Sequence, residues 1–332
     1  MTAPLIVGLA GTVLTGEERA FLAKVRPLGV ILFRRNVADA DQLAALVAEA
    51  RAASGAGLVL VDQEGGRVQR IGPPLAPRHP PAAAIGALRS REPEAGRRAA
   101  WLSGRLIAAD LAPYGINVPC LPVADVPADG AHDVIGDRAY AREPDAVATL
   151  AAAVAQGVLD GGALPVVKHV PGHGRARSDS HVVCPVVDAS RAELERDLAP
   201  FRALAKLPLA MTAHVVYTAL DATRPATLSP DVMALVREDI GFDGLLMTDD
   251  ISMGALSGDV ATDGAAALAA GCDCVLHCNG DLSEARRLAD ALPPLSGAAE
   301  RRLAAALAHL ADPSEDVGPL REEFASLVAV EA

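Results

Sequence analysis

The stretch Leu164-Pro165-Val166-Val167-Lys168-His169-Val170-Pro171-Gly172-His173-Gly174 decides how this chain is read, with its continuation through Arg175-Ala176-Arg177-Ser178 to Asp179-Ser180-His181. A short apolar run stops abruptly at Lys168-His169. A Pro/Gly turn follows, then a polar segment closing on an Asp–His pair. A buried strand that releases charged groups at its C-terminal tip, into a loop carrying such a pair, is how α/β scaffolds build a catalytic face. The plain alternative is a polar loop whose histidines cap and hydrogen-bond.

Working outward, apolar runs recur at residues 4–10, 29–33, 57–61, 116–123, 164–168, 207–213, 244–248 and 273–277. Pro119 and Pro122 make the fourth irregular. Helical patterns lie between them at 16–24 (capped by Thr15), 39–53, 92–111, 143–159, 190–204, 229–238 and 260–270. Residues 72–85, rich in Pro and Ala, read as a long surface connection. Eight strands, each followed by a helix, predict an α/β fold of one specific kind, a single (β/α)8 TIM-type barrel. One domain is expected over residues 1–332, with a short helical tail whose acidic part, from Asp312, packs outside. No Gly-x-Gly-x-x-Gly follows the first strand, which argues against a dinucleotide fold.

Bulk properties narrow the function. The 332 residues are 51% hydrophobic and 3% aromatic, which suits close helix–strand packing and argues against a disordered chain. A net charge of −12 argues against nucleic acid as a partner. No run approaches the roughly 18 apolar residues of a membrane span, and no basic segment precedes the first apolar run, so a cytoplasmic protein without a signal peptide is expected. Cys120, Cys184, Cys272, Cys274 and Cys278 are odd in number and lack a framework spacing, hence reduced thiols. Cys272 and Cys274 read as small core residues on one strand face. No metal and no cofactor is expected, and the chain is read as a monomer acting on a small molecule.

In such a barrel the active groups gather where strands end. Those ends carry Asp62, Arg138, Lys168 and His169, the pair Asp179 and His181, then His214, Asp249-Asp250 and Asn279. Each has a plainer reading: Asp62 as a turn cap, Arg67 and Arg70 as surface charges, Arg138 as a clamp on Asp133 or Asp137. His173 and His214 read as core histidines holding loops, and Trp101, mid-helix, as packing. Lys168 is different, because a buried ammonium is costly without a partner. Asp179 and His181 stand two apart, so an extended backbone aims both the same way, and a carboxylate beside an imidazole gives a proton donor near neutral pH. Asp249-Asp250 suits either metal binding or a nucleophile with its support. A nucleophilic aspartate with a separate proton donor is the minimum for double-displacement glycoside hydrolysis. Two other classes remain open: a metal-dependent hydrolase built from His169, His173, His181, His214 and Asp249, and a catalytically silent carbohydrate-binding barrel.

The motif Lys168-His169-x-Pro171-Gly172-His173-Gly174-x4-Asp179-Ser180-His181 resembles the signature of bacterial β-N-acetylglucosaminidases of glycoside hydrolase family 3. The likeness extends to Gly29-Val30-Ile31-Leu32-Phe33-x-Arg35-Asn36, to Asp62-Gln63-Glu64-Gly65-Gly66-Arg67-Val68-Gln69-Arg70, to Val134-Ile135-Gly136-Asp137-Arg138, to Met211-Thr212-Ala213-His214-Val215, and to Gly241-Phe242-x-Gly244-x3-Thr248-Asp249-Asp250. The resemblance implies an exo-acting retaining enzyme that removes non-reducing terminal β-linked N-acetylglucosamine from peptidoglycan fragments (GlcNAc-1,6-anhydro-muropeptides) in cell-wall recycling. It implies Asp249 as nucleophile, His181 as acid/base tuned by Asp179, and Asp62, Arg70, Arg138, Lys168 and His169 as sugar-binding residues. Val170 stands where Phe is usual and Tyr140 where Phe is common; Arg175 and Arg177 make the loop more basic. Asp250 stands where the family's glucosidases have Trp, which favours the hexosaminidase branch.

Overall fold

Alternate residues of each apolar run part company in the computed structural model, which describes residues 2–256, 258–312 and 316–328. Eight strands form one parallel sheet: β1 (Ala3–Gly8), β2 (Pro27–Leu32), β3 (Leu58–Val61), β4 (Val118–Pro119), β5 (Val166–Val170), β6 (Leu209–Thr212), β7 (Leu245–Asp250) and β8 (Cys274–His277). Their spatial order is β4-β3-β2-β1-β8-β7-β6-β5. The sheet is nearly closed into a barrel, for Val123 bridges Lys168, and the amides of Val166 and Lys168 donate to Leu121 and Pro122 at 2.8 and 3.1 Å. The seam is irregular because Pro119 and Pro122 have no N–H to give. Only Val118–Pro119 of the expected fourth strand therefore forms a ladder.

Around the sheet run α1 (Gly16–Val25), α2 (Ala40–Ser54), α3 (Ala82–Arg91), α4 (Pro93–Leu111), α5 (Pro144–Asp160), α6 (Arg191–Ala203), α7 (Pro230–Ala234, continued by a π turn over Leu235–Asp239) and α8 (Val260–Ala270). Thr15 opens α1 with a capping box, its hydroxyl accepting the Glu18 amide at 3.1 Å while Glu18 accepts the Thr15 amide at 2.9 Å. The stretch read as a surface connection ends in α3, a start that two prolines and three alanines disguise. After β8 come α9 (Leu282–Ala291), α10 (Gly297–Leu307) and α11 (Gly318–Val328). The last packs on α3 and α4 through buried Phe324 and a two-bonded Arg98–Glu323 pair. Residues 313–315 and 329–332 of the acidic tail lie outside the described residues.

Two core layers result from the period of two along each strand. Leu58 and Leu60, Leu164 and Val166, Leu209 and Met211, Leu245 and Met247, and Cys274 and Leu276 pack inside the barrel. Val59, Val61, Val167, Ala210, Leu246 and Val275 face the helices. Cys272 precedes its strand, so it does not share a face with Cys274: it packs in the outer layer, its sulfur 3.9 Å from Met233. Continuing the inward set beyond the apolar layers gives Asp62, Lys168, Asp249 and Cys278, all of which line one cavity at the barrel's C-terminal mouth. Register shifts interrupt β5 between Val167 and Val170 and β7 between Met247 and Asp250. Bulges re-aim side chains next to functional sites, and these two fall on Lys168-His169 and Thr248-Asp249.

Candidate active site

The mouth cavity has a volume of about 360 Å³. Its floor is ionic. Lys168, 2% exposed, lies with Nζ 3.0 Å from Asp62 and 2.7 Å from Glu64. Arg138 donates two bonds of 2.8 Å to Glu64, and Arg70 donates one of 2.9 Å to Asp62. Burial alone would raise both carboxyls, but Lys168 with Arg70 holds Asp62 well below the usual range, and Lys168 with Arg138 brings Glu64 down to about 2. Burial likewise opposes the Lys168 charge, and the two carboxylates more than offset it, so its pKa is raised. Three cations thus face two carboxylates, the arrangement that lets an ammonium stay charged out of water.

Glu64 is a member that the strand-end pattern does not reveal. It sits on a tight hairpin, Gln63–Gly65 against Val68–Gln69. Gly65 (φ 96°) makes that hairpin possible: a Cβ there would lie 2.4 Å from the Pro80 carbonyl. Asp125 is another. Fully buried, it accepts from His169 Nδ1 at 2.7 Å and from the His173 amide at 2.6 Å. It fixes the His169 ring against the cavity wall and leaves Nε2 toward the site. Nothing near it in the chain signals this role, because His169 lies 44 residues away.

Asp249 lines the same cavity and makes no ion pair among the described residues. Its Oδ1 accepts the Asp250 amide at 2.8 Å. Burial pushes its carboxyl up, but His214, His169, the Asp250 amide and Lys168 together hold it below its ordinary value, so it is ionised at neutral pH. Asp250 also lines the cavity, but its carboxylate is taken up: it accepts from Ser252 at 2.8 Å and from the Cys278 amide at 3.0 Å. The adjacent carboxylates therefore divide into a free group and a structural one.

His181 and Asp179 meet on the β5–α6 loop, Nδ1 to Oδ1 2.8 Å, with the His181 amide on the same oxygen at 2.9 Å. The pairing comes from a turn, not from extended backbone, for the Val182 and Val183 amides return to the Asp179 carbonyl. Burial raises the Asp179 carboxyl, but the bonds and charge of His181 with the charge of His132 together bring it below its usual value. The imidazole is 66% exposed at the cavity's edge, and the loop is stitched to the β7 side by Gly254 N–H on the His181 carbonyl (3.2 Å) and Ala255 N–H on that of Ser180 (3.0 Å).

Other readings resolve plainly. Arg67, not Arg138, pairs with Asp137 and bonds three carbonyls of the 133–137 loop; Arg138 adds one bond there, to the Val134 carbonyl at 3.0 Å. His173 bonds Ser180, and His214 bonds Thr227 and the Asp250 carbonyl, so both hold loops. Arg175 is taken up by Asp197, leaving Arg177 as the basic addition. Asn279 bonds Glu284 outside the cavity, and Trp101 bonds Asp160 on the barrel's exterior. Of the five residues of the metal-dependent alternative, His169, His173, His181 and Asp249 line the cavity and His214 does not, and among the described residues no three His, Cys, Asp or Glu side chains are grouped so as to hold a metal ion.

A free, half-buried carboxylate in a barrel mouth, an exposed imidazole–carboxylate pair on a neighbouring loop and a floor of fixed charges are the equipment of a glycoside hydrolase. Comparison with known proteins gives the same class. The profile of the glycosyl hydrolase family 3 N-terminal domain matches residues 9–312. A curated beta-hexosaminidase of Methylococcus capsulatus is 44% identical over 280 residues, 82% of this chain and 81% of that one. Another, of Thioalkalivibrio sulfidiphilus, is 41% identical over 87% of this chain and 84% of its own length. The crystal structure of NagZ from Neisseria gonorrhoeae in complex with N-trifluoroacetyl-D-glucosamine superimposes with a TM-score of 0.89 at 33% identity, covering 100% of this chain and 98% of that one. The chain belongs to glycosyl hydrolase family 3.

Proposed function

We propose that the chain is an exo-acting, retaining β-N-acetylhexosaminidase that releases non-reducing terminal β-linked N-acetylglucosamine from peptidoglycan fragments. The observation that carries the reading is that Asp249, ionised and unpaired, shares one cavity with His181 while Asp179 grips the far side of that imidazole. The beta-hexosaminidase names of the relatives and the N-acylglucosamine bound to the Neisseria protein support the sugar; the muropeptide source rests on the family resemblance of the loop motif. A cavity of about 360 Å³ suits a single terminal residue.

Asp62, Arg70, Arg138, Lys168 and His169 bind the sugar hydroxyls, fixed charges that reject a ring unable to pair with them. Asp249 attacks the anomeric carbon as the glycosidic C–O bond breaks, and His181 gives its Nε2 proton to the leaving oxygen. The same nitrogen then takes a proton from water, whose oxygen attacks the anomeric carbon as its bond to Asp249 breaks, freeing the carboxylate and restoring the original configuration. Asp179 holds the Nδ1 proton throughout, keeping Nε2 turned to the reaction. The proposal includes a monomer at work in the cytoplasm; the five free thiols agree with a reducing compartment.

The test is release of N-acetylglucosamine from a chromogenic β-glycoside by the wild type and by Asp249→Asn and His181→Gln. Losses of at least ~10³-fold and ~10²-fold are expected. Full activity of Asp249→Asn, or equal turnover of the matching β-glucoside by the wild type, would overturn the reading.

A further inference from the structure

The three peptide units around Asp249 are pinned, and two of the pins belong to one buried cluster of side chains with no part in the chemistry above. The Asp249 amide, freed from the ladder by the β7 bulge, donates to Thr212 Oγ1 at 3.3 Å. The Asp250 amide donates to the Asp249 carboxylate. The Asp250 carbonyl accepts from His214 Nε2 at 3.0 Å. Thr212 and His214 in turn meet on a single hydroxyl, Thr227 Oγ1, at 2.7 Å each. All three side chains are 0% exposed.

Thr227 comes from the short 3-10 turn Ala226–Leu228 between β6 and β7, and its hydroxyl also reaches the Ala213 carbonyl at 3.2 Å. Because His214 Nε2 faces a carbonyl, that nitrogen carries a proton. The hydrogen shared between Nδ1 and Thr227 can sit on either partner without changing this. The imidazole is therefore locked in the orientation that holds the Asp250 carbonyl, which sets the direction in which the preceding carboxylate leaves the strand. An error of about 1 Å in a reacting group costs on the order of 10²-fold in rate.

From this geometry we infer that Thr227 is a positioning residue for the nucleophile, acting through His214 and Thr212 on the backbone of Asp249 and Asp250. The inference rests on Asp249 being the nucleophile. Thr227 touches no part of the mouth cavity, so its effect falls on the rate of attack and not on sugar binding.

Thr227→Val keeps the shape and removes the hydroxyl; Thr227→Ser restores the hydroxyl. For Thr227→Val we expect kcat to fall 10- to 100-fold with KM within threefold of wild type, and covalent labelling by a fluorinated N-acetylglucosaminyl inactivator to slow in proportion. Thr227→Ser returns to within threefold of wild type in both. A second pair is independent of how well the valine variant folds: in His214→Gln the side-chain amide stands where Nε2 was and keeps the bond to Asp250, whereas His214→Asn loses it, so Gln is expected to be at least fivefold more active. Equal kcat in Thr227→Val and wild type, equal impairment of the Val and Ser variants, or Asn matching Gln at position 214 would overturn the inference. If the wild type itself takes no label on Asp249, it is the nucleophile assignment that has failed; labelling at wild-type rate in Thr227→Val refutes the positioning role alone.

Discussion

Lys168→Met keeps the length of a buried stem and deletes the ammonium lying 3.0 Å from Asp62 and 2.7 Å from Glu64. Removing one partner of a buried ion pair typically costs ~3–5 kcal/mol. Each carboxylate here keeps an arginine, Arg70 or Arg138, which places the expected loss toward the lower end. The pKa of Glu64 gives an independent scale. Its fall from 4.5 to about 2 corresponds to roughly 3 kcal/mol of native-state preference for the ionised form, with Lys168 the first of its attractive partners. We therefore expect Lys168→Met to lose about 2–4 kcal/mol at pH 7 in urea unfolding. The pH dependence follows from the sign: a carboxyl depressed by folding contributes fully above its unfolded value near 4.5 and loses that contribution as pH falls through about 2. In the variant this contribution is smaller, so the stability gap to wild type narrows as pH is lowered from 7 toward 3. In a double-mutant cycle with Glu64→Gln, coupling of about 1–3 kcal/mol is expected. A loss under about 1 kcal/mol at pH 7, or a gap unchanged by acid, would refute the account of the ionic floor.

Two further outcomes follow from the loop and its supports. Burial, and then the neighbouring His169, lower the pKa of His173 from 6.5 to about 4, so the native state resists its protonation. Stability is free of this penalty above about pH 6.5 and declines as pH falls toward 4, by up to about 3 kcal/mol; unfolding of wild type and His173→Gln across pH 7.5–4.5 checks it, and equal slopes would contradict it. At Gly254 a Cβ would stand 2.8 and 2.9 Å from the carbonyl oxygens of His181 and Val182. Gly254→Ala should shift the proton donor's loop, lowering kcat/KM at least tenfold for substrates with poor leaving groups while sparing a dinitrophenyl glycoside within threefold; equal losses on both would deny the loop's link to protonation.

Much of the barrel and its mouth is legible in the amino-acid sequence, and for a simple reason. Inward residues alternate along each strand, so Asp62 after Leu58 and Leu60, Lys168 after Leu164 and Val166, and Asp249 after Leu245 and Met247 are the next inward positions of apolar series. The spacing of Asp179 and His181 marks them as a pair, although a turn and not an extended backbone brings them together. Glu64 and Asp125 escape because what makes them functional is a contact made 74 or 44 residues away, with Arg138 or His169. One signal does point toward Glu64: an ammonium buried as deeply as Lys168 needs more than one counter-charge. Nothing local distinguishes Thr227, whose environment exists only once the turn after β6 has folded onto β7. The start of α3 is hidden by the composition of the segment preceding it, and the closing seam at β4 by prolines that break the strand pattern.

The most direct measurement is the site of covalent attachment. The enzyme is incubated with a fluorinated N-acetylglucosaminyl inactivator, digested, and its peptides mapped by mass. One equivalent of sugar on the peptide containing Asp249, absent in Asp249→Asn, is the predicted result. An active enzyme that gains no mass, or that carries the sugar on another residue, would contradict attack by the Asp249 carboxylate.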